Sequence, residues 1–411
     1  MSRGYAGVVP RSFVTPMLSF VAAVLGVIVA VGVARSAGWL EESRSETVVV
    51  SSPSPSPSLA DPAPKPARRS GGAKPLLGNG FDPAAIYAAR SDGVLTIFAD
   101  FGGGVRSQGS GFVVSPDGLV LTNSHVITSS ESGEPEGAAE VYLEFADGDR
   151  APARVVGWDV FDDVGVLRFD PRDHRVDPVP LGRSGAVRVG DPVAIIGSPF
   201  GIENSLAVGV VAATRRSIAS LTSQYDLLDA IQTDAPINRG NSGGPMFDVR
   251  GRVIGIAAQI RSSSGTAEGV GFAVPIDSAQ RSLRQLLREG EVKYAFAGIK
   301  SQSLTPSIAR KFGFPVRSGA IVTDVTSGSP ADAAGLRAST REEQLNGVSV
   351  ATDGDVVVAV NGARVAGAED LVRAVTSRLE PGQVANLTIF RGQQRRNVAL
   401  RLATRPAQRS G

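Results

Sequence analysis

The sequence predicts a mostly β protein of two globular modules, carried behind an apolar segment and a proline-rich spacer. Three observations predict it. From about residue 80, short apolar runs alternate with turn clusters at close intervals, the texture of a β-barrel or sandwich. A helical pattern then ends at Gly290 and a second set of short strands comes after it, whereas the first 79 residues lack this texture. At 411 residues and 42% hydrophobic side chains, the chain can bury a sizeable core and has length for about two or three domains of roughly 150 residues.

Taken in order, residues 1–11 carry Arg3 and Arg11 and lead into the uncharged run Ser12 to Ala34, which contains FVAAVLGVIVAVGVA. Roughly 20 apolar residues in a helix span a bilayer, so an uncleaved transmembrane anchor is expected over 12–34. The alternative is a signal sequence, because Ala34-Arg35-Ser36 reads as a small-x-small cleavage site. Glu41, Glu42 and Glu46 come after the span, so the charge bias favours a cytoplasmic N-terminus, a single pass through the cell membrane, and everything later on the extracytoplasmic side. Residues 35–79, with SSPSPSPSLADPAPKPARRSGGAKP at their centre, hold too few large apolar side chains to offset ordering entropy and read as a disordered linker.

The first module is expected over 80–290. Asp82-Pro83 starts a helix, a capping side chain followed by proline at the first helical position. GSGFVV and LVLT are strands joined by Ser115-Pro116-Asp117-Gly118; Val141, Leu143 and Phe145 alternate as one buried face; DPVAIIG, MFD and RVIGIAA come next. A helix capped by Asp277, with Leu283, Leu286 and Leu287 on one face, stops at Gly290. The second module, 291–403, has strands near 298–302, 319–325, 355–360, 384–391 and 396–402. With one helix at Ser329-Pro330 and another carrying Leu371, Val375 and Leu379, it reads as a small, partly open β-barrel with two helices, and 404–411 is a tail.

Composition excludes several functions. The 42 Lys and Arg against 40 Asp and Glu leave a net charge of +2 with the arginines scattered, so no nucleic-acid partner is expected. The absence of cysteine removes thiol nucleophiles, disulfides and thiolate metal sites. No GxxxxGK[ST] run occurs; Gly102-Gly103-Gly104 and the subsequent Gln108-Gly109-Ser110-Gly111 read as a mobile loop ahead of a strand rather than a phosphate cradle. Neither cofactor nor metal is expected.

The sharpest chemical signal is Gly240-Asn241-Ser242-Gly243-Gly244-Pro245. A serine hydroxyl attacks only when a base takes its proton, and the resulting oxyanion needs backbone N–H donors, which glycines let a tight turn present. The base is one of two histidines. His125 comes after an apolar strand in LTNSHVI, where a rigid element can fix its ring; His174, in the charged Pro171-Arg172-Asp173-His174-Arg175, reads as part of a solvated loop. Asp163, opening Asp163-Val164-Gly165-Val166-Leu167, is the expected orienting carboxylate, with Asp159 and Asp162 as competitors. The order His125, Asp163, Ser242 is that of the chymotrypsin type. With a base of ordinary pKa near 6.5, activity is expected to fall below about that pH.

Together GSGFVV, LTNSHVI, DDVGVLRF, GSPFG, IQTDAPINRGNSGGPMFD and GVGFAVPID resemble a bacterial HtrA-type serine protease. Phe296-Ala297-Gly298-Ile299, GSPADAAGL and DVVVAVNG resemble the PDZ module of that family. The resemblance implies a double β-barrel trypsin-like domain followed by one PDZ domain, in a homo-trimer. It implies an ATP-independent endopeptidase of misfolded or regulatory polypeptides, acting in protein quality control outside the cytoplasm. His125, Asp163 and Ser242 are its implied catalytic residues, and the Gly240-Asn241-Ser242 run its oxyanion hole, with the N–H groups of Gly240 and Ser242 as donors. Gly255, Ile256, Ala257 and Ala258 map to the segment that pairs with substrate; no aspartate lies there, so cleavage after small or medium aliphatic residues is expected. Ala257 departs from the asparagine common in relatives. Phe296, Ala297, Gly298 and Ile299 are the implied site for peptide C-termini. Between Leu336 and Gly354 stands an insert, RASTREEQLNGVSVATD, able to remodel the peptide groove or to form an exposed loop. The alternative reading is a non-catalytic chaperone or membrane-anchored scaffold with a resting protease domain.

Overall fold

Asp82 accepts a hydrogen bond from the Ala85 N–H (3.0 Å) and Pro83 opens the first helix, α1 (Pro83–Arg90), as the capping signal predicts. The structure is a computed structural model and describes residues 80–406 except 130–134, 175, 199–203, 239 and 259–269. The expected anchor at 12–34 and linker at 35–79 lie outside the described residues. Among the described residues no helix is long and apolar enough to cross a membrane.

The first barrel contains β1 (Val94–Gly102), β2 (Val105–Val113), β3 (Leu119–Thr122), the single-turn α2 (Ser124–Ile127), the short pair β4 (Thr128–Ser129) and β5 (Glu136–Gly137), then β6 (Glu140–Glu144), β7 (Arg150–Asp159) and β8 (Val164–Phe169). It closes in the order β1-β2-β3-β8-β7-β6 around Leu95, Ile97, Leu143 and Leu167. Closure leaves no free edge and lets alternate side chains fill the interior. Gly102, Gly103 and Gly104, all with positive φ, form the β1–β2 turn. Gly109-Ser110-Gly111, by contrast, are not in a mobile loop: they lie inside β2, and Ser110 and Gly111 are buried.

The second barrel comprises β9 (Pro192–Gly197), β10 (Ser205–Ala219), β11 (Asp226–Thr233), β12 (Pro245–Phe247), β13 (Val253–Ala258) and β14 (Gly271–Pro275), closed as β10-β11-β14-β13-β12-β9. β14 runs directly into α3 (Ile276–Glu289), which Gly290 ends in the left-handed region. Two expectations for this helix are corrected. Asp277 is not its cap but lies in the first turn, accepting from Gly185 N–H (2.9 Å), because strand and helix join at Pro275 with no residue between. Leu287 is 48% exposed, since the buried stripe is Ile276, Ala279, Ser282 and Leu286.

The last module begins with β15 (Ala295–Phe296) and β16 (Ile299–Leu304) and continues through α4 (Pro306–Phe312), β17 (Gly319–Val325), α5 (Pro330–Ala333), β18 (Glu342–Leu345), β19 (Val348–Ala351), β20 (Asp355–Val360), β21 (Ala363–Arg364), α6 (Ala368–Thr376), β22 (Val384–Arg391), β23 (Gln394–Arg401) and β24 (Ala403–Thr404). Its main sheet runs β16-β17-β20-β22-β23 over Val322, Val357, Leu371 and Leu387. It has three helices rather than two. α4 has its own cap, Thr305 accepting from Ile308 N–H, then Pro306 and a left-handed Gly313. Leu379 falls beyond the end of α6.

The insert after Leu336 folds as the hairpin β18–β19, turning at Asn346-Gly347, both with positive φ. Val350 and Ala351 pack it onto Leu304, Ile308 and Ile321. At its base the partly buried Asp353 takes hydrogen bonds from Ser339, Thr340 and Arg341, and these donors hold its carboxyl well below the usual range despite that burial.

Candidate active site

His125 sits in α2, the single turn after β3, and Asp163 sits immediately before β8, the strand paired with β3. That pairing brings the two together. His125 Nδ1 lies 2.8 Å from Asp163 Oδ2, while Asp163 Oδ1 accepts from Ser124 Oγ (2.8 Å) and from the His125 backbone N–H (3.0 Å). Asp163 has a φ of 50°, in the left-handed region that non-glycine residues rarely enter. Asn123 holds it there, donating from Nδ2 to the Asp163 carbonyl at 2.8 Å. A carboxylate only accepts, so Nδ1 carries the ring proton and Nε2 keeps its lone pair.

Ser242 lies in the loop between β11 and β12, in the second barrel. Three bonds fix this loop: Gly243 N–H to Ala257 O (2.8 Å), Gly244 N–H to Asn241 O (2.9 Å) and Ser110 N–H to Ser242 O (2.7 Å). The last crosses from one barrel to the other. The barrels meet at Gly109, where a Cβ would stand 2.6 Å from the Val126 side chain and 3.0 Å from Ser242 O. A glycine there lets the histidine turn and the serine loop converge on one seam. The Asn241 N–H is bonded to Asn238 O (3.0 Å), which takes it out of the expected oxyanion run.

Burial pulls the His125 pKa down, but the charge of Asp163 and its hydrogen bond outweigh that and leave it above the ordinary value. The ring must be neutral to take a proton. We therefore expect kcat/KM to fall on the acid side through a midpoint above about 6.5, checked by a pH–rate profile between about pH 5 and 9. A profile flat across that range removes His125 as the base. Stability runs the other way: a raised pKa contributes fully below the unfolded value and is lost as pH rises through the folded one.

The competitors for the carboxylate role lie elsewhere. Asp159, 2% exposed, accepts from Ser282 Oγ and Tyr294 Oη, both at 2.6 Å, and from Phe161 N–H at 2.9 Å. Burial, with the nearby Asp162 charge, pushes its carboxyl up to about 6 against those hydrogen bonds. Asp162 pairs with Arg281. Arg405 lies over the rings of Phe161, Tyr225 and Tyr294, at 5.3, 4.7 and 5.4 Å, so this knot joins both barrels to the end of the last module. His174, expected in a solvated loop, is instead packed flat on Phe145 (4.6 Å between ring centroids), with Asp149 at 3.2 Å.

The expected substrate-pairing segment is also corrected in part. Gly255 and Ile256 are paired with β12 on one side and β14 on the other, and both backbone groups of Ala257 are bonded to Gly243 and Gly244. A strand paired on both sides cannot take a third, so Gly255, Ile256 and Ala257 are not free to pair with substrate; Ala258 lies beyond the β12 ladder. Phe296, Ala297, Gly298 and Ile299 border a cavity of about 790 Å³ beside β16 and α6, which Leu371 and Val375 of the last module and Tyr225, Asp226 and Leu228 of the second barrel also line. Gly298 has a φ of 79° and its carbonyl accepts from Thr326 N–H (2.9 Å), shaping the turn before β16. No residue of the β18–β19 hairpin lines the cavity, though Gln302 of β16 is bonded to Ser349 O and Ala351 N–H of the hairpin.

Sequence reasoning left Ser110, Asn123 and Ser124 without roles. The available signal was polar side chains inside apolar strand motifs, which burial obliges to find partners.

Two closed six-stranded barrels, with an imidazole–carboxylate pair on one and a glycine-flanked serine loop on the other, define a trypsin-like peptidase domain. Residues 109–256 match the family described as a trypsin-like peptidase domain and 296–402 match the PDZ domain. The chain is 30% identical to the HtrA-type protease AlgW, solved with a tripeptide, at a TM-score of 0.64, covering 79% of this chain and 98% of that one. Among curated relatives it is 37% identical to a probable periplasmic serine endoprotease DegP-like of Hahella chejuensis, over 74% of this chain and 59% of that protein. It is 36% identical to the chloroplastic protease Do-like 1 of Arabidopsis thaliana, over 73% and 64%. The chain thus spans about three fifths of the length of these curated relatives, and it belongs to the HtrA-type protease family.

Proposed function

We propose that this chain is an ATP-independent serine endopeptidase of misfolded or regulatory polypeptides. Ser242 Oγ attacks the scissile carbonyl and forms an acyl-enzyme; His125 takes the proton and returns it to the leaving amine; Asp163 holds the ring tautomer. The N–H groups of Gly240 and Ser242 stabilise the oxyanion. The observation that carries this reading is the 2.8 Å contact between His125 Nδ1 and Asp163 Oδ2, with Asp163 held by three further hydrogen bonds. The lack of an aspartate in the Gly255-Ile256-Ala257-Ala258 segment supports cleavage after small or medium aliphatic residues.

Further parts of the reading concern placement. Residues 80–290 form the protease and 291–403 the PDZ domain, whose groove at Phe296–Ile299 takes peptide C-termini by adding them to β16. The apolar run 12–34 anchors the chain with its catalytic part outside the cytoplasm, supported by the periplasmic naming of relatives, and the active assembly is a homo-trimer, as the family resemblance implies. Labelling with a serine-directed phosphonate and peptide mapping tests the centre. The label is expected on the peptide containing Ser242; label on another residue overturns the assignment.

A further inference from the structure

Ser110 belongs to the first barrel and is fully buried, yet three of its polar contacts reach the second. Its N–H donates to Ser242 O (2.7 Å), its Oγ donates to Gly240 O (2.6 Å), and the same Oγ accepts from Ser198 N–H (2.9 Å). The fourth, its carbonyl, accepts from Thr122 Oγ1 (2.7 Å) and so fastens it to β3. One residue thus grips the carbonyls on both sides of Asn241, in the loop that carries the proposed nucleophile.

Each peptide is a rigid plane with its C=O and N–H opposed, so holding one end directs the other. The Gly240–Asn241 plane is held at its oxygen by Ser110 Oγ and at its nitrogen by Asn238 O. The Ser242–Gly243 plane is held by Ser110 N–H and Ala257 O. Gly240, with a φ of 100° and no side chain, has no steric reason of its own to keep this orientation. The hydroxyl of Ser110 supplies one.

We propose that Ser110 is a positioning residue for the oxyanion hole: its hydroxyl locks the Gly240 carbonyl turned toward β2 and its N–H holds the Ser242 carbonyl, so both neighbours of the Asn241–Ser242 peptide plane are fixed, and that plane, anchored at Asn241 O by Gly244 N–H, keeps the Ser242 N–H directed at the reacting carbonyl. The Ser198 N–H, donating to the same oxygen, orients that hydroxyl's own proton toward Gly240. Position 110 thereby makes the alignment of the hole depend on the seam between the two barrels. This proposal rests on the endopeptidase reading.

The test compares the full chain with Ser110→Ala, Ser110→Cys and Ser242→Ala, using a chromogenic peptide substrate and a peptide boronate that mimics the tetrahedral adduct. Removing an oxyanion donor outright costs about 10²–10³ in kcat, so loosening the Ser242 donor is expected to lower kcat about 10- to 100-fold in Ser110→Ala, with KM within about twofold. Boronate affinity should fall in step with kcat/KM, while the acid-side pH midpoint stays where it is. Ser110→Cys, which fills the space but donates weakly, should be as slow as alanine and guards against a cavity effect. Three results overturn the proposal: Ser110→Ala within about threefold of the parent kcat, cysteine restoring it, or KM and boronate affinity moving independently of it. Equal rates for the parent and Ser242→Ala would instead remove the endopeptidase reading, and the proposal with it.

Discussion

Ser242→Ala is expected to reduce hydrolysis of unfolded casein by roughly 10⁶-fold, to a remnant of activity that comes from the oxyanion hole and substrate binding. No other side chain of the nucleophile loop can take over, since Ser242 stands among Gly240, Asn241, Gly243 and Gly244. Its fold should be unaffected, because backbone groups anchor the loop: Ser242 O to Ser110, Gly243 N to Ala257, Gly244 N to Asn241. Casein hydrolysis and a thermal melt, measured side by side, check both halves. Hydrolysis within about tenfold of the parent would end the assignment of Ser242.

Asp163→Asn should cost about 10⁴ in kcat while leaving KM nearly unchanged. The structure dictates which way the new amide faces. Oδ1 receives two donors, Ser124 Oγ and His125 N–H, so the amide oxygen stays there and the NH₂ takes the place of Oδ2 opposite His125 Nδ1. Two N–H groups cannot face each other, so the imidazole must move its proton to Nε2 and present a donor where an acceptor is needed. Steady-state kinetics of this variant decide the point, and a loss below about tenfold would mean that Asp163 does not set the tautomer.

The chemistry-bearing motifs were legible because each is a short run whose residue types do one job: glycines around Ser242, an apolar strand before His125, an aspartate before the apolar run at 164–167. The two-module division was legible for a similar reason, the helix ending at Gly290. Contacts that depend on how the barrels face each other could not be read. Nothing local in GSG says that Ser110 reaches Gly240, 130 residues on. Asp277 reads as a cap because aspartate so often is one, yet its carboxylate meets Gly185, 92 residues away. His174 reads as solvated from its charged neighbours, whereas the aromatic shelf beneath it is set by Phe145, at the end of a different strand. The backbone pairing of Gly255 to Ala257 came from the closure of the second barrel, which no single segment encodes.

The stacking of Arg405 on Phe161, Tyr225 and Tyr294 bears on how the PDZ domain can move. A domain joined by a plain tether swings at little cost; here the last stretch of its chain is wedged at the pivot, its N–H tied to Tyr294 O and its guanidinium clasped by rings from both barrels. Any swing must first draw that wedge. Because Phe161 stands two positions from Asp163, the pivot and the carboxylate bonded to His125 share a single short piece of backbone.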